Sequence, residues 1–469
     1  MALFPRDTLN PGVRKREVFG WAMYDFANSG YTTVVLTAVF SAYFVGGVAG
    51  GASWATFAWT ATLAASSVIV MLTMPALGAY ADLRAAKKRL LTISTIGCVL
   101  GTAALAGAGP GNVAWAVVAI VVSNVFYSYG ESLIAAFLPE LARQNSLGRV
   151  SGWGWSFGYF GGMLALGLSL GYVLWAQGQG LPASHFVPVT MLLTAGIYGV
   201  ASLATFALLR ERAQPQPQPQ PQQAGVDRAG LGASFTRLAR TWREARRFQD
   251  FSALLLCAVA YQAGISVVIA LAAVYAEQVM KFEQTQTMAL IFTVNIAAAV
   301  GAFSWGYVQD RIGHRRALGI TLAGWIVMIG LTASATGPRM FWLAAVIAGL
   351  CMGSSQSAGR ALAGLFSPAT RRAEFYGLWT FALRLSAIIG PLTYGLVTLL
   401  TAGNHRLAIA STGLFFLIGL GLLTLVNVPR GVAAAEGAEG ADGSAGGSAG
   451  GSAGDADEPG SSRGTAPHA

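Results

Sequence analysis

The chain has 469 residues, 54% of them hydrophobic and only 11% charged, with 30 Lys and Arg against 20 Asp and Glu for a net charge of +10. A soluble globule carries about 25% charged residues, so this composition excludes a soluble enzyme and points to a polytopic membrane protein. Most of the cations fall in short segments between apolar runs, a pattern that reads as membrane topology and excludes a nucleic-acid surface.

Taken from the N-terminus, residues 1–18 form a basic cytoplasmic lead. Twelve apolar runs long enough to cross a bilayer follow, at 19–45, 54–79, 90–108, 113–137, 150–176, 186–209, 250–276, 285–308, 317–336, 341–366, 374–400 and 407–427. The first run is too long for the core of a cleaved signal, and similar runs follow it. Turns between runs are rich in Gly and Pro, as in Gly107-Ala108-Gly109-Pro110-Gly111-Asn112. The runs lack two-residue alternation, so a β-barrel is not expected. The predicted fold is all-α: twelve transmembrane helices arranged as two pseudo-symmetric six-helix bundles.

Orientation follows from the cations. With the N-terminus inside, the inner segments hold 25 Lys and Arg, while the outer loops hold only Lys281, Arg339 and Arg406. Both termini are therefore expected in the cytoplasm, across a cell (inner) membrane. The two halves, 19–209 and 250–429, are separated by a cytoplasmic linker at 210–249. The linker contains a Pro-Gln repeat, Gln214–Gln223, expected to be extended. It also contains a basic amphipathic stretch in which Phe235, Leu238 and Trp242 fall three and four apart, as on a helix lying on the inner leaflet. Residues 430–469 are rich in Gly, Ala and Ser and are expected to be disordered.

The halves repeat. Asp82, closing span two, and Asp310, closing span eight, are 228 apart; Pro139 and Pro368, after spans four and ten, are 229 apart. Two landmarks at nearly one offset indicate an internal duplication, the plan of a transporter built from two halves around a midplane site. The duplicated inner loops read Gly78-Ala79-Tyr80-Ala81-Asp82 and Gly306-Tyr307-Val308-Gln309-Asp310-Arg311-Ile312-Gly313-His314-Arg315-Arg316. They resemble the inner-loop signature of the major facilitator superfamily. Physically, Gly78 and Gly306 admit a close helix neighbour. Asp82 and Asp310 can face a helix N-terminus or an Arg. With Arg311 and Arg315 they are candidates for a latch that holds the halves together in one access state. The first copy departs from the pattern, with Leu83 in place of the basic residue and no second glycine.

A narrower likeness lies in Trp21-Ala22-Met23-Tyr24-Asp25-Phe26-Ala27-Asn28-Ser29-Gly30-Tyr31, together with Phe137-Leu138-Pro139-Glu140-Leu141, Gly148-Arg149-Val150-Ser151-Gly152-Trp153-Gly154-Trp155 and Ala373-Glu374-Phe375-Tyr376-Gly377-Leu378-Trp379. These stretches resemble the autophagy-related vacuolar-effluxer-like family of that superfamily, across about residues 15–430. The resemblance implies efflux of a small metabolite, with amino acids the first class to consider. It also implies a cavity lined by spans one, four, seven and ten.

Ionisable groups within a span cost several kcal/mol unless paired or hydrated. Four stand out: Asp25, Glu131, Arg360 and Arg384. Asn28 shares a face with Asp25, Tyr127 with Glu131, and Gln356 with Arg360, while span seven offers Gln262. Glu131 and Arg360 are 229 apart, which places them at pseudo-equivalent positions across the cavity. Opposite charges there suit a zwitterion, with Arg360 or Arg384 holding a carboxylate and Asp25 or Glu131 an ammonium or a coupling proton. Alternatively, Glu131 and Arg360 form a structural ion pair between halves, Asp25 caps or gates the inner end of span one, and Arg384 is a shallow cytoplasmic gate.

Cys98, Cys257 and Cys351 sit in separate apolar runs and the four histidines lie in loops or the tail, so neither a disulfide framework nor a metal site is expected. No Walker loop, dinucleotide glycines or catalytic triad occurs; no cofactor and no enzymatic activity are expected. The expected function is secondary active transport of a small polar metabolite by rocker-switch alternating access, with a proton as coupling ion and the bilayer as surroundings, by a monomer. Two rivals are a lipid or lysolipid flippase on the same scaffold and a non-transporting receptor or assembly factor docking through linker and tail.

Overall fold

A computed structural model describes residues 4–212, 248–282 and 284–447. Helices dominate, because a backbone in hydrocarbon must satisfy its own polar groups within each segment. Twelve are long and apolar enough to span a membrane. In chain order α1 is the span Lys15–Val48. Then come α2 (Ala55–Leu83), α3 (Lys87–Ala104), α4 (Val113–Ala135), α5 (Leu147–Gly178) and α6 (Ala183–Leu208). The second half holds α7 (Gln249–Gln278), α8 (Gln284–Ile312), α9 (His314–Ser334), α10 (Pro338–Leu365), α11 (Arg372–Leu400) and α12 (His405–Leu423). Each predicted run falls on one of these helices, with edges shifted by a few residues. The Pro-Gln repeat and the basic amphipathic stretch expected to be helical, both in the linker, lie outside the described residues.

The helix partners repeat. In the first half α1 packs on α5 and α6, α4 on α2 and α3, and α3 on α6. In the second, α7 packs on α11 and α12, α10 on α8 and α9, and α9 on α12. Adding six to each label of the first set yields the second, so the molecule is two six-helix bundles of one design. They meet chiefly along two seams, α5 on α8 and α2 on α11, which the same operation exchanges.

Helix α1 is not uniform. After Tyr31 it widens into π-helical turns at Thr32–Ala38 and again at Phe44–Val48. Thr33 and Thr37 donate their hydroxyls to the carbonyls of Ser29 and Thr32, at 2.8 and 3.0 Å. Hydroxyls that bond the turn before them compete with the regular ladder, and π segments concentrate at functional sites. At the end bearing the termini, Glu211 caps α3 by accepting the N–H groups of Lys87 and Lys88 at 2.8 and 3.0 Å. Burial holds its carboxyl above the usual range despite those donors.

The tail departs from expectation. Residues 430–469 do not begin as disordered chain, because Val428–Gly447 form a further helix, α13. Val432-Ala433-Ala434-Ala435 favours helix. The buried Asp250 carboxylate takes both Nε and Nη2 of Arg430, at 2.7 and 2.9 Å, and the N–H of Asn427 at 2.7 Å. Glu436 then accepts from Gln144 of the first half at 3.2 Å, so α13 bridges the two bundles. Asp250→Asn is expected to release this helix. Amide exchange over residues 430–438 should rise at least about tenfold, and unchanged protection would show that packing alone holds it.

Candidate functional site

Both seams are built on glycines that lie against the backbone of the opposite half. Gly78 lies against the backbone of Ala373 and Glu374 so closely that a Cβ would overlap the Ala373 carbonyl. Gly306 lies against Gly148, where a Cβ would sit 2.8 Å from the carbonyl oxygen. One turn on, Gly377 faces the backbone of Met74 and Gly152 faces that of Ala302. Met74 and Ala302 are 228 apart and Gly152 and Gly377 are 225 apart. Each seam is therefore a pair of close glycine-to-backbone contacts one turn apart, repeated on the other side of the pseudo-twofold axis. A lateral opening to lipid, the mark of a flippase, would have to pass one of these seams, and at this end both are packed backbone to backbone.

The same loops carry the charges. Asp310 accepts the N–H groups of Gly148 and Arg149, at 2.9 and 3.1 Å, and the Arg149 Nε at 3.1 Å. Asp82 accepts the N–H of Glu374 at 2.9 Å. Each aspartate thus stands at the start of a helix of the opposite half, where the free N–H groups and the dipole favour an anion. The two basic candidates lie elsewhere. Arg311 is exposed, and Arg315 donates to the Thr424 carbonyl of its own half at 3.1 Å. The cation at Asp310 is Arg149. At Asp82 it is Lys87, buried to 1% exposure, which bonds Glu140 and stands 3.9 Å from Asp82. Leu83 is 50% exposed and its counterpart Arg311 is exposed too, so the missing basic residue of the first copy costs the contact nothing.

Above this closed end lies a cavity of about 470 Å³ between the halves. It reaches from Asp25 past Glu131 and Gln356 towards Tyr275 and Phe341, at the helix ends remote from the termini. Its floor is one guanidinium. Arg360 donates to Asp25 at 2.7 Å, to the Ser151 hydroxyl at 3.2 Å and to the Ser151 carbonyl at 2.8 Å. The rings of Trp21 and Trp155 stand 4.8 and 5.2 Å from its carbon. Both side chains of the Asp25–Arg360 pair are at most 10% exposed. Gly154 makes the pair possible, since a Cβ there would strike both Asp25 and Trp21. Higher in the cavity Arg384 donates to Glu131 at 2.8 Å and lies over the Tyr127 ring at 5.8 Å. Its Nε and the Trp155 Nε1 are buried without a partner. Gln262 donates to Gln356 at 3.0 Å. Asn28 accepts from Tyr198 at 3.0 Å, and the Tyr198 hydroxyl lies 3.2 Å from that of Tyr24, from which it can accept.

Two expectations need correction. Glu131 and Arg360 do not pair with each other; each finds a partner one helix away, Glu131 with Arg384 on α11 and Asp25 on α1 with Arg360. Nor is Arg384 shallow. It sits twelve residues into α11, about 18 Å along the helix, and lines the cavity. Beyond the nominated candidates the site uses Ser151, Lys87, Glu140 and Arg149, together with Trp155, for which the sequence allowed either a cavity-lining or an interface role. Three of them stand in Gly148–Trp155, where glycines four apart matched Ala373 and Gly377; that second repeat was the available signal. Among the described residues no cluster of His, Cys, Asp and Glu could hold a metal ion.

A family model described as vacuole effluxer Atg22 like matches residues 42–436. The uncharacterized MFS-type transporter YxiO of Bacillus subtilis is 24% identical over 413 residues, covering 87% of this chain and 94% of that protein. Autophagy-related protein 22-1 of Aspergillus terreus is 25% identical over 325 residues, 64% of this chain and 53% of the relative. The chain thus spans nearly all of its bacterial relative and about half the length of the fungal one. Among solved structures, the human organic anion transporter MFSD10 superposes with a TM-score of 0.68 at 16% identity, over 87% of this chain and 99% of that one. The proton:xylose symporter XylE gives 0.66 at 14%, over 89% and 96%. At such identities the likeness is one of fold.

Proposed function

The chain belongs to the vacuole effluxer Atg22-like family of major facilitator transporters, and from that premise we propose that it moves a small zwitterionic metabolite, an amino acid in the first instance, coupled to protons by alternating access. The observation that carries this reading is the cavity itself, sealed at one end by the doubled latch and crossed by two ion pairs that each join the halves. With the cation-rich loops in the cytoplasm, the state is outward-facing and the termini lie on the cytoplasmic side of the cell membrane.

Charge assigns the roles. Two carboxylates and two guanidiniums sum to zero, which suits a solute with both signs and disfavours a net ion. Arg360 is already bonded on three sides, so it serves as floor. Arg384 has an unpartnered Nε and faces the cavity; it is the group for a substrate carboxylate. Its partner Glu131 is 29% exposed along the side chain, so it can exchange Arg384 for a proton or a substrate ammonium. Asp25, in contact with Arg360, is the second proton acceptor, and its protonation would release the floor.

The test uses the purified full chain in proteoliposomes loaded with radiolabelled amino acids. Glu131→Gln is expected to keep solute counterflow while losing pH-gradient-driven accumulation by about tenfold or more, an effect on the order of 1.4 kcal/mol. Accumulation that still follows the pH gradient in both Glu131→Gln and Asp25→Asn would remove the proton assignment. Failure of every amino acid to drive counterflow would remove the substrate class.

A further inference from the structure

At the end bearing the termini, away from the transport cavity, a groove of about 650 Å³ runs between the start of α9 and the end of α12. We propose that it is a binding site for the phosphate headgroup of an anionic phospholipid. The reading stands whatever solute the cavity carries.

One wall is electropositive. Helix α9 begins at His314 behind Gly313, whose φ of +89° suits glycine and which offers no side chain as a cap. Its first N–H groups therefore point outward without an intrahelical acceptor, and its first turn holds no acid. Arg315 and Arg316 line the groove and are exposed. Arg316 has no ion pair among the described residues. His314 also lines the groove, yet it is only 7% exposed and its Nδ1 is buried with no partner; its Nε2 stands 3.9 Å from Asp310. Of the acids beside the groove, Asp310 is turned to Gly148 and Arg149 of the other half, and Asp250 is taken by Arg430 and the N–H of Asn427. Two guanidiniums and a free helix start form a donor set for phosphate oxygens.

The opposite wall identifies the source of that phosphate. Leu420 and Leu423 line the groove. The surface continues along the same helices through Ile320, Leu417 and Ile418, which are 52%, 51% and 53% exposed. Apolar side chains that run on from a basic pocket give acyl chains a place to lie, which a free phosphate would not need. The groove lies where the helix ends meet the headgroup layer.

Delipidated full chain in detergent would be titrated with dioctanoyl phosphatidylglycerol, dioctanoyl phosphatidylcholine and inorganic phosphate, with thermal unfolding and native mass spectrometry as readouts. Phosphatidylglycerol is expected to raise Tm saturably and to be retained in the spectrum, at least about tenfold more tightly than phosphatidylcholine. Arg316→Gln and the double variant Arg315→Gln/Arg316→Gln should weaken that binding progressively, while Arg339→Gln, exposed at the other end, should not. Equal binding of the two lipids, or an unchanged affinity in Arg316→Gln, would overturn the site. Inorganic phosphate matching phosphatidylglycerol at equal concentration would overturn the lipid as its occupant. Because Arg316 is exposed, its substitution tests the site without threatening the fold.

Discussion

Arg360→Gln is expected to abolish net transport, lowering flux at least about a hundredfold, and to lower Tm by several degrees in the same preparation. The reason is what the substitution leaves behind. Asp25 would keep its charge with Trp21 and Gly154 against it and no counter-ion. Breaking one side of a buried pair costs about 3–5 kcal/mol, because the remaining charge is stranded. An exposed pair would contribute about 0–1 kcal/mol. The Asp25→Asn/Arg360→Gln double variant separates the two effects. It should regain most of the lost Tm, since no lone charge remains, yet stay inactive in pH-gradient-driven uptake. A double variant that transports normally would reduce the pair to packing. A single variant as stable as the parent would mean that water reaches the floor.

The second large effect belongs to the latch. In Asp82→Asn/Asp310→Asn both helix-start contacts weaken together. Each cap of this kind is worth about 0.5–2 kcal/mol, and the partly exposed Arg149 pair adds up to about 1 kcal/mol. Losing both should shift the balance of closed and open states by roughly 2–4 kcal/mol, about thirty- to a thousandfold in population. Spin labels at Asn145→Cys and Arg311→Cys, exposed residues on opposite halves, would report it. A second, longer distance should appear in the double variant and be scarce in the parent. An unchanged distance distribution would make the aspartates topological markers only. The single variants should each give an intermediate shift, since the pseudo-twofold axis makes the two contacts equivalent in kind.

The latch closes backbone to backbone at the helix starts, whereas the Asp25–Arg360 pair closes the same end one layer deeper, through side chains. A proton or solute acting on the deeper pair would unseat Arg360 from Ser151, whose helix α5 also carries Gly148 and Gly152 against α8. One helix thus touches both closures, which would give the ion pair a route to the latch.

Residue order alone determined the spans, their number and their doubling. Apolar run length answers directly to bilayer thickness, and a duplicated chain keeps its spacing, so Asp82 and Asp310 or Pro139 and Pro368 disclose the repeat without coordinates. Sequence also nominated Asp25, Glu131, Arg360 and Arg384, because a charge in hydrocarbon demands a partner whatever the fold. Only the tertiary arrangement decided who those partners are. An offset of 229 marks Glu131 and Arg360 as equivalent positions, but equivalence under a rotation axis is not contact, and the packing of the bundles pairs Asp25 on α1 with Arg360 on α10 and Glu131 on α4 with Arg384 on α11 instead. The same holds for Arg311 and Arg315, which share the latch motif yet point away from it, while Arg149 and Lys87 arrive from other helices. Composition suggested a loose tail, whereas a single buried carboxylate, Asp250, captured Arg430 and let an alanine-rich stretch wind into helix. In each case the deciding quantity was a distance across the bundle, which spacing along the chain does not encode.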